Sequence, residues 1–360
     1  MNICIDMRPA LSRPTGVGIY LLNLVQALAE IDTENQYHLF STSWRERYQP
    51  ANYGKNFHHH DHRWPGKVLH FLWNRFSFPS IESLLGVSVD VAHSPSPLLI
   101  PSKEAHRVTT VHDLYFYHHP DQTQREIRRD YQSLVKKHSE QSDAIIAVSE
   151  YTKQQLVEHL HIAPSRIYTI RHGVDPFFLE CPSPGEIENI KTKFHLDRRY
   201  FLYVGNSEPR KNLGALTEAF QIANLDMDLI IAGPVEDEVA ASPKVHVAGY
   251  VSKVELRALY KCALAVVIPS LDEGFGIPLL EAMACGTPVV ASNLPVFHEI
   301  APDAFLPVDP ASRESIAEAL RVISENDAMR KDLVKKGQER IGKYSWKECA
   351  LKTLDLYKNL

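Results

Sequence analysis

Hydrophobic and polar positions along the chain repeat with two periods. Residues 2–7 (NICIDM) form the short apolar run of a buried strand, and PTGVG at 14–18 breaks it. Leu21, Leu22, Val25, Leu28 and Ala29 then recur at helical spacing. Apolar runs at 37–41, 89–93, 108–112, 144–148 and 167–170 predict further strands, several of them separated by helical patterns. After HGVDPFF (172–178) the composition shifts to Pro, Glu and Lys, and the alternation restarts at YFLYVG (200–205). Strands are predicted at 201–204, 228–232, 245–248, 265–269 and 288–291, with helices at 253–262 and 278–285.

Such alternation predicts an α/β chain of two Rossmann-like, doubly wound parallel sheets. The expected division is a first domain over 1–178, a linker over 179–198 and a second domain over 199–343. An amphipathic helix over 344–360 carries Trp346, Ala350, Leu351, Leu354 and Tyr357 on one face, and the N-terminal domain is its candidate docking surface. A length of 360 residues with 44% hydrophobic positions agrees with two cores.

Composition narrows the function. Cys4, Cys181, Cys262, Cys285 and Cys349 are scattered without metal-ligand spacing, which suits a reducing compartment. No apolar run approaches the roughly 18 residues that cross a bilayer. Asp6 sits inside the first apolar run, where a signal peptide would need an uninterrupted core, so a cytoplasmic chain beginning near Met1 is expected. A net charge of -5 argues against general nucleic-acid binding. Residues 44–78 are the local exception. Arg45, Arg47, Lys55, Arg63, Lys67 and Arg75 face only Glu46 and Asp61 there, interleaved with Trp44, Trp64, Phe71 and Trp73. Two readings are open: a loop whose aromatics join the core, or peripheral contact with an anionic membrane. HHHDH (58–62) reads as loop, and its successive side chains cannot all converge on one ion, so no metal is expected.

The densest chemistry lies in DEGFGIPLLEAMACGTPVVAS (272–292). It follows a strand and opens a helix, so it occupies a loop at the carboxyl end of a parallel strand, where such sheets bind ligands. Glycines before a helix N-terminus leave amides that suit a phosphate. Glu273 and Glu281 would repel that phosphate, and are instead suited to accepting hydrogen bonds from neutral hydroxyls beside it. A sugar nucleotide supplies both kinds of group. YVGNSEPRKNL (203–213) offers Gly205 for close backbone approach and Arg210 with Lys211 to neutralise a diphosphate leaving group.

Together PTGVGIY, TTVHDL, HGVD, VGNSEPRKNL, VAGYVSKVELRALYKCALAVVIPS and EGFGIPLLEAMACGTPVVAS resemble the retaining glycosyltransferases of family 4, over nearly the whole chain. The resemblance implies the GT-B fold, two Rossmann-like domains facing a central cleft, with the nucleotide sugar held mainly by the C-terminal one. It matches Glu281 to the ribose acid and Glu273 to the acid beside the donor hexose, where Phe275, Gly276 and Ile277 offer backbone contacts. Arg210 and Lys211 match the diphosphate clamp, Gly16 and Gly18 a glycine loop meeting the phosphate, His112 a histidine facing the donor sugar, and Val251 a nucleobase contact. Asn206 stands where many relatives carry Arg, which shifts weight onto Arg210. The resemblance further implies metal-independent transfer without a protein nucleophile. Bacterial mannosyltransferases of polysaccharide or O-antigen synthesis, using GDP-mannose and a lipid-linked or glycan acceptor, are the nearest pattern.

Rival classes are a sugar-nucleotide epimerase on the same plan and a non-catalytic carbohydrate-binding protein. A nicotinamide dehydrogenase is disfavoured, because GVGIYL lacks a third glycine and YHLFS ends without a ribose-binding acid.

Overall fold

The structure, a computed structural model, describes residues 1–11, 16–48, 51–119, 131–235 and 243–360. The chain divides into two compact units, one of Met1–Gly173 with Ser345–Leu360 and one of Val174–Tyr344.

The first unit is built on β1 (Asn2–Asp6), β2 (Gln36–Thr42), β3 (Phe57–His62), β4 (Val91–Ser94), β5 (His106–Val111), β6 (Ala144–Ala147) and β7 (Ile167–Thr169). Every pairing is parallel and the order is β3-β2-β1-β4-β5-β6-β7, so the winding reverses between β1 and β4. Helix Gly16–Ile31 buries Tyr20, Leu21, Leu24, Val25 and Leu28, and shares its core with Trp346, Cys349, Ala350 and Leu354 of helix Trp346–Lys358. A buried polar network fixes that second helix. The Tyr357 hydroxyl lies 2.5 Å from His93 Nδ1, and His93 Nε2 lies 2.8 Å from Thr110 Oγ1. Burial pushes His93 down to about 3, so its neutral ring supplies one donor and one acceptor.

HHHDH is not a loop. It forms most of β3, in parallel register with β2 from Tyr37↔Phe57 to Thr42↔His62. An edge strand need not be apolar on either face, and Phe57 is the only fully buried position of this one. Polar cross-strand pairs hold it instead, with His38 and His60 3.0 Å apart and Ser41 donating to Asp61 at 2.9 Å.

Residues 179–198, expected as a linker, hold helix Pro184–Phe194, opened by a capping box between Ser183 and Glu186. Arg257 ties this stretch to helix Lys253–Cys262 through Glu180 and Glu186, each at 2.9 Å. Only Ile190 of the helix is buried, which explains its linker-like composition.

The second unit contains β8 (Tyr200–Val204), β9 (Asp228–Ala232), β10 (Val245–Gly249), β11 (Ala265–Ile268), β12 (Val289–Ser292) and β13 (Leu306–Val308). The order is β10-β9-β8-β11-β12-β13, again all parallel, and the winding reverses between β8 and β11. Helices Leu213–Ala223 and Arg313–Glu325 pack Leu216, Phe220, Ile316, Leu320 and Ile323 into its core. Among the described residues, no helix is long and apolar enough to cross a membrane.

Candidate active site

A reversal of winding leaves two strand-to-helix loops diverging at the carboxyl ends of neighbouring strands, and the crevice between them is where open α/β sheets bind ligands. In the second unit these are the loops after β8 and β11. Leu271 N donates to Arg210 O at 2.8 Å, and the Asn212 amide donates to Pro269 O at 3.0 Å and to Pro310 O at 2.8 Å. Asn212 is left-handed (φ 55°) and closes the short 3-10 turn Pro209–Lys211, a conformation asparagine adopts more readily than most residues.

This turn aims both cations at one carboxylate. Lys211 Nζ lies 2.6 Å from Glu273 Oε1 and Arg210 Nη1 lies 2.9 Å from Oε2. Ser270 Oγ donates to Oε1 at 2.7 Å. Burial acts to raise the Glu273 pKa, but Lys211 and Arg210 outweigh it and hold the carboxyl at about 2. Glu273 therefore stays ionised and cancels one of the two positive charges. Glu208 adds a longer ion pair to Arg210 at 3.6 Å.

Gly276 (φ 103°) caps helix Ile277–Ala284, and a Cβ there would come within 2.7 Å of the Phe297 ring. Pro278 occupies the first turn, where its missing N–H costs nothing. Phe275 is buried edge-on to Tyr344. One turn into the helix, Glu281 is also buried, and its Oε2 accepts from the Tyr260 hydroxyl at 2.9 Å. Burial pushes Glu281 up to about 7, with Asp175 raising it further and the Tyr260 bond and Lys253 opposing. The two glutamates thus differ in kind: one is permanently charged, the other poised near neutrality.

Gly205 follows β8, and its N–H donates to Ala232 O at 3.0 Å. Gly233, after β9, has φ 140°, and a Cβ there would fall 1.9 Å from Gly205 O. Val251 lies partly buried one residue before Ser252, the cap of helix Lys253–Cys262. The Asn206 carbonyl accepts from Tyr203 and its amide donates to Glu208.

Sequence reasoning therefore selected Arg210, Lys211 and Glu273, which form one ion-paired group, and Phe275, Gly276, Ile277 and Glu281, which share the adjoining loop and helix. It missed Ser270, Asn212, Tyr260 and Gly233. The glycine ending IIAG after a strand was a legible signal for Gly233; the other three are recognised only through their tertiary partners.

The remaining candidates belong to the first unit. Gly16 opens helix Gly16–Ile31 and Gly18 is buried within it; Pro14 and Thr15 lie outside the described residues. His112 follows β5, its Nε2 lies 3.0 Å from Pro95 O, and its ring packs edge-on to Tyr20 at 5.0 Å. Burial pushes His112 down to about 4. Its neutral ring then donates from Nε2 and keeps Nδ1 as an acceptor.

Two doubly wound parallel sheets, one with a cation–carboxylate group at its switch point, are the architecture of the GT-B class. Residues 14–177 match the model described as Glycosyltransferase Family 4, and residues 186–340 match Glycosyl transferases group 1. The chain is thus built of glycosyltransferase domains of family 4 and group 1. O-antigen chain mannosyltransferase B of Escherichia coli is 27% identical over 100% of both chains. Sucrose-phosphate synthase of Thermosynechococcus elongatus superposes with a TM-score of 0.80 at 21% identity, over 100% of this chain and 98% of the other. Anabaena HepE in complex with UDP-glucose superposes with a TM-score of 0.76 at 14% identity over 100% of each chain.

Proposed function

We propose that the chain is a retaining, metal-independent hexosyltransferase of the bacterial cytoplasm. It moves mannose from GDP-mannose to a lipid-linked or oligosaccharide acceptor in surface polysaccharide synthesis. The observation that carries this reading is the group formed by Arg210, Lys211 and Glu273 beside the helix N-terminus at Gly276. The mannosyltransferase name of the Escherichia coli relative supports the choice of sugar, and the UDP-glucose complex of HepE supports a nucleotide-sugar donor.

In this mechanism Arg210, Lys211 and the first amides of helix Ile277–Ala284 take up the charge that grows on the departing diphosphate. Glu273 holds the two cations in place, and the lone pair left on Oε2 accepts from a hexose hydroxyl. Glu281 accepts from the ribose hydroxyls. The acceptor attacks on the face the diphosphate leaves, and a phosphate oxygen takes its proton. The roles that the family resemblance gives Gly16, Gly18, His112 and Val251 belong to the same reading.

A thermal-shift screen across GDP-, UDP-, ADP- and dTDP-sugars tests the donor, with GDP-mannose expected to give the largest shift. Proton NMR of the product then reads the anomeric configuration, with and without a chelator. Inversion, loss of turnover on chelation, or a trapped glycosyl adduct on Glu273 would each defeat the corresponding part of the mechanism.

A further inference from the structure

The mechanism assigns no task to Tyr260, although three contacts fix it. Its ring is fully buried in helix Lys253–Cys262 and meets Phe178 edge to face at 5.8 Å. Thr287, just past the helix that carries Glu281, donates to the Tyr260 carbonyl at 2.6 Å and draws its own N–H to Ala282 O at 2.9 Å. The Tyr260 hydroxyl donates to Glu281 Oε2 at 2.9 Å. Helices Lys253–Cys262 and Ile277–Ala284 are thereby tied at two points.

Glu281 is only 8% exposed, and its two oxygens are treated differently. Oε2 takes the tyrosine hydroxyl. Among the described residues nothing donates to Oε1, which is not closed off from solvent. A carboxylate this buried is costly unless its oxygens find donors, so Oε1 is the atom that calls for a ligand. The other groups facing Glu281 do not compete for it. Asp175 and Lys253 pair with each other, and the Cys285 thiol donates to the Phe178 carbonyl at 3.4 Å. A glutamate free to rotate would lose rotamer freedom when a nucleotide ordered it. The tyrosine bond takes that loss on folding instead.

We infer that Tyr260 is a positioning residue for donor binding: by holding Oε2 it turns Oε1 toward the ribose before the nucleotide arrives. The inference rests on the ribose role proposed for Glu281 and adds what aims that acid. Val251 directly precedes the cap of the same helix, so one element then serves both base and ribose.

Calorimetry of the full chain with GDP-mannose and with UDP-glucose, between about pH 5.5 and about pH 8.5, tests it. The tyrosine bond favours the ionised form of Glu281. Y260F is therefore expected to bind about tenfold weaker and to move the rise in affinity to higher pH by about half a unit or more. Turnover at saturating donor stays within about twofold, so the loss appears in KM. In an E281Q background, whose amide does not titrate, Y260F adds less than about twofold. E281D keeps the charge but is one methylene too short to hold Tyr260 and ribose together, and it also loses about tenfold. Thermal melts show which variants are folded.

A Y260F protein with wild-type affinity and pH profile, or an E281D protein with wild-type affinity, overturns the inference and leaves the ribose role standing if E281Q binds weakly. An equal loss from Y260F in both backgrounds marks a packing effect and overturns it too. Wild-type affinity in E281Q, or no binding of either nucleotide sugar by the wild type, removes the ribose role and the inference with it.

Discussion

Lys211 Nζ lies 2.6 Å from Glu273 Oε1, in a carboxylate that Arg210 grips from its other oxygen. Lys211 thus has a fixed position before any anion arrives, and in the proposed mechanism its removal uncovers leaving-group charge while leaving Glu273 with a single cation. Lys211→Ala is expected to lower turnover about a hundredfold to a thousandfold, with a smaller effect on donor binding. Steady-state kinetics checks this, and near-full activity excludes Lys211 from the clamp.

Glu273 also makes a stability prediction. Its folded pKa of about 2 lies below the ordinary 4.5, so the unfolded chain binds more protons between those values. Its stabilising contribution is therefore complete above about pH 4.5 and is lost as pH falls toward 2. Glu273→Gln should flatten the fall in unfolding free energy across that window, as read by denaturant titrations at a series of pH values.

Glu281 has the opposite sign. Its folded pKa of about 7 exceeds the ordinary 4.5, so the native state holds the extra proton and this contribution declines as pH rises from about 4.5 through 7. In the proposed ribose role Glu281 accepts best when ionised, so affinity for a nucleotide sugar, whose diphosphate does not titrate here, should rise from about pH 6 to about pH 8. Glu281→Ala is expected to lose about tenfold to a hundredfold in affinity and to remove the pH dependence, as measured by calorimetry. Unchanged affinity counts against the ribose role.

Tyr357 bonds His93 inside the first unit. Tyr357→Phe leaves the ring nitrogen without that partner and should cost about 1–3 kcal/mol, read from the urea midpoint. Because burial depresses His93 from 6.5 to about 3, its contribution to stability is complete above about pH 6.5 and drains away on acidification.

Gly233 packs its Cα face on the Gly205 carbonyl. Gly233→Ala drives a methyl group into backbone at a φ that L residues rarely adopt. It should destabilise the second unit by about 3 kcal/mol or more, seen as a lowered thermal midpoint.

The doubly wound plan was readable because strands buried on both faces appear as short apolar runs. NICIDM and ALAVVIPS show this, and their glycine-bearing successors mark the carboxyl-end loops. β3 escaped because FHHHDH has one buried apolar residue, and β13 because three residues make no periodic signal. Glu273 and Glu281 stood out in the motif, yet their environments did not. The cations holding Glu273 arrive from the loop after β8, the neighbour of β11 in the sheet but about sixty positions earlier in the chain, and Tyr260 reaches Glu281 from a separate helix. Such pairings depend on strand order, which local patterns do not encode.

Helix Trp346–Lys358 completes the core of a unit whose other helices and strands all precede Val174. A ribosome therefore delivers the whole of Val174–Tyr344 before the final wall of the earlier module exists. The later-synthesised module can finish folding first, while the N-terminal sheet waits with Tyr20, Leu24 and Leu28 only partly covered. A released chain truncated just before Trp346 should accordingly yield a protease-resistant fragment from its second half and a sensitive one from its first.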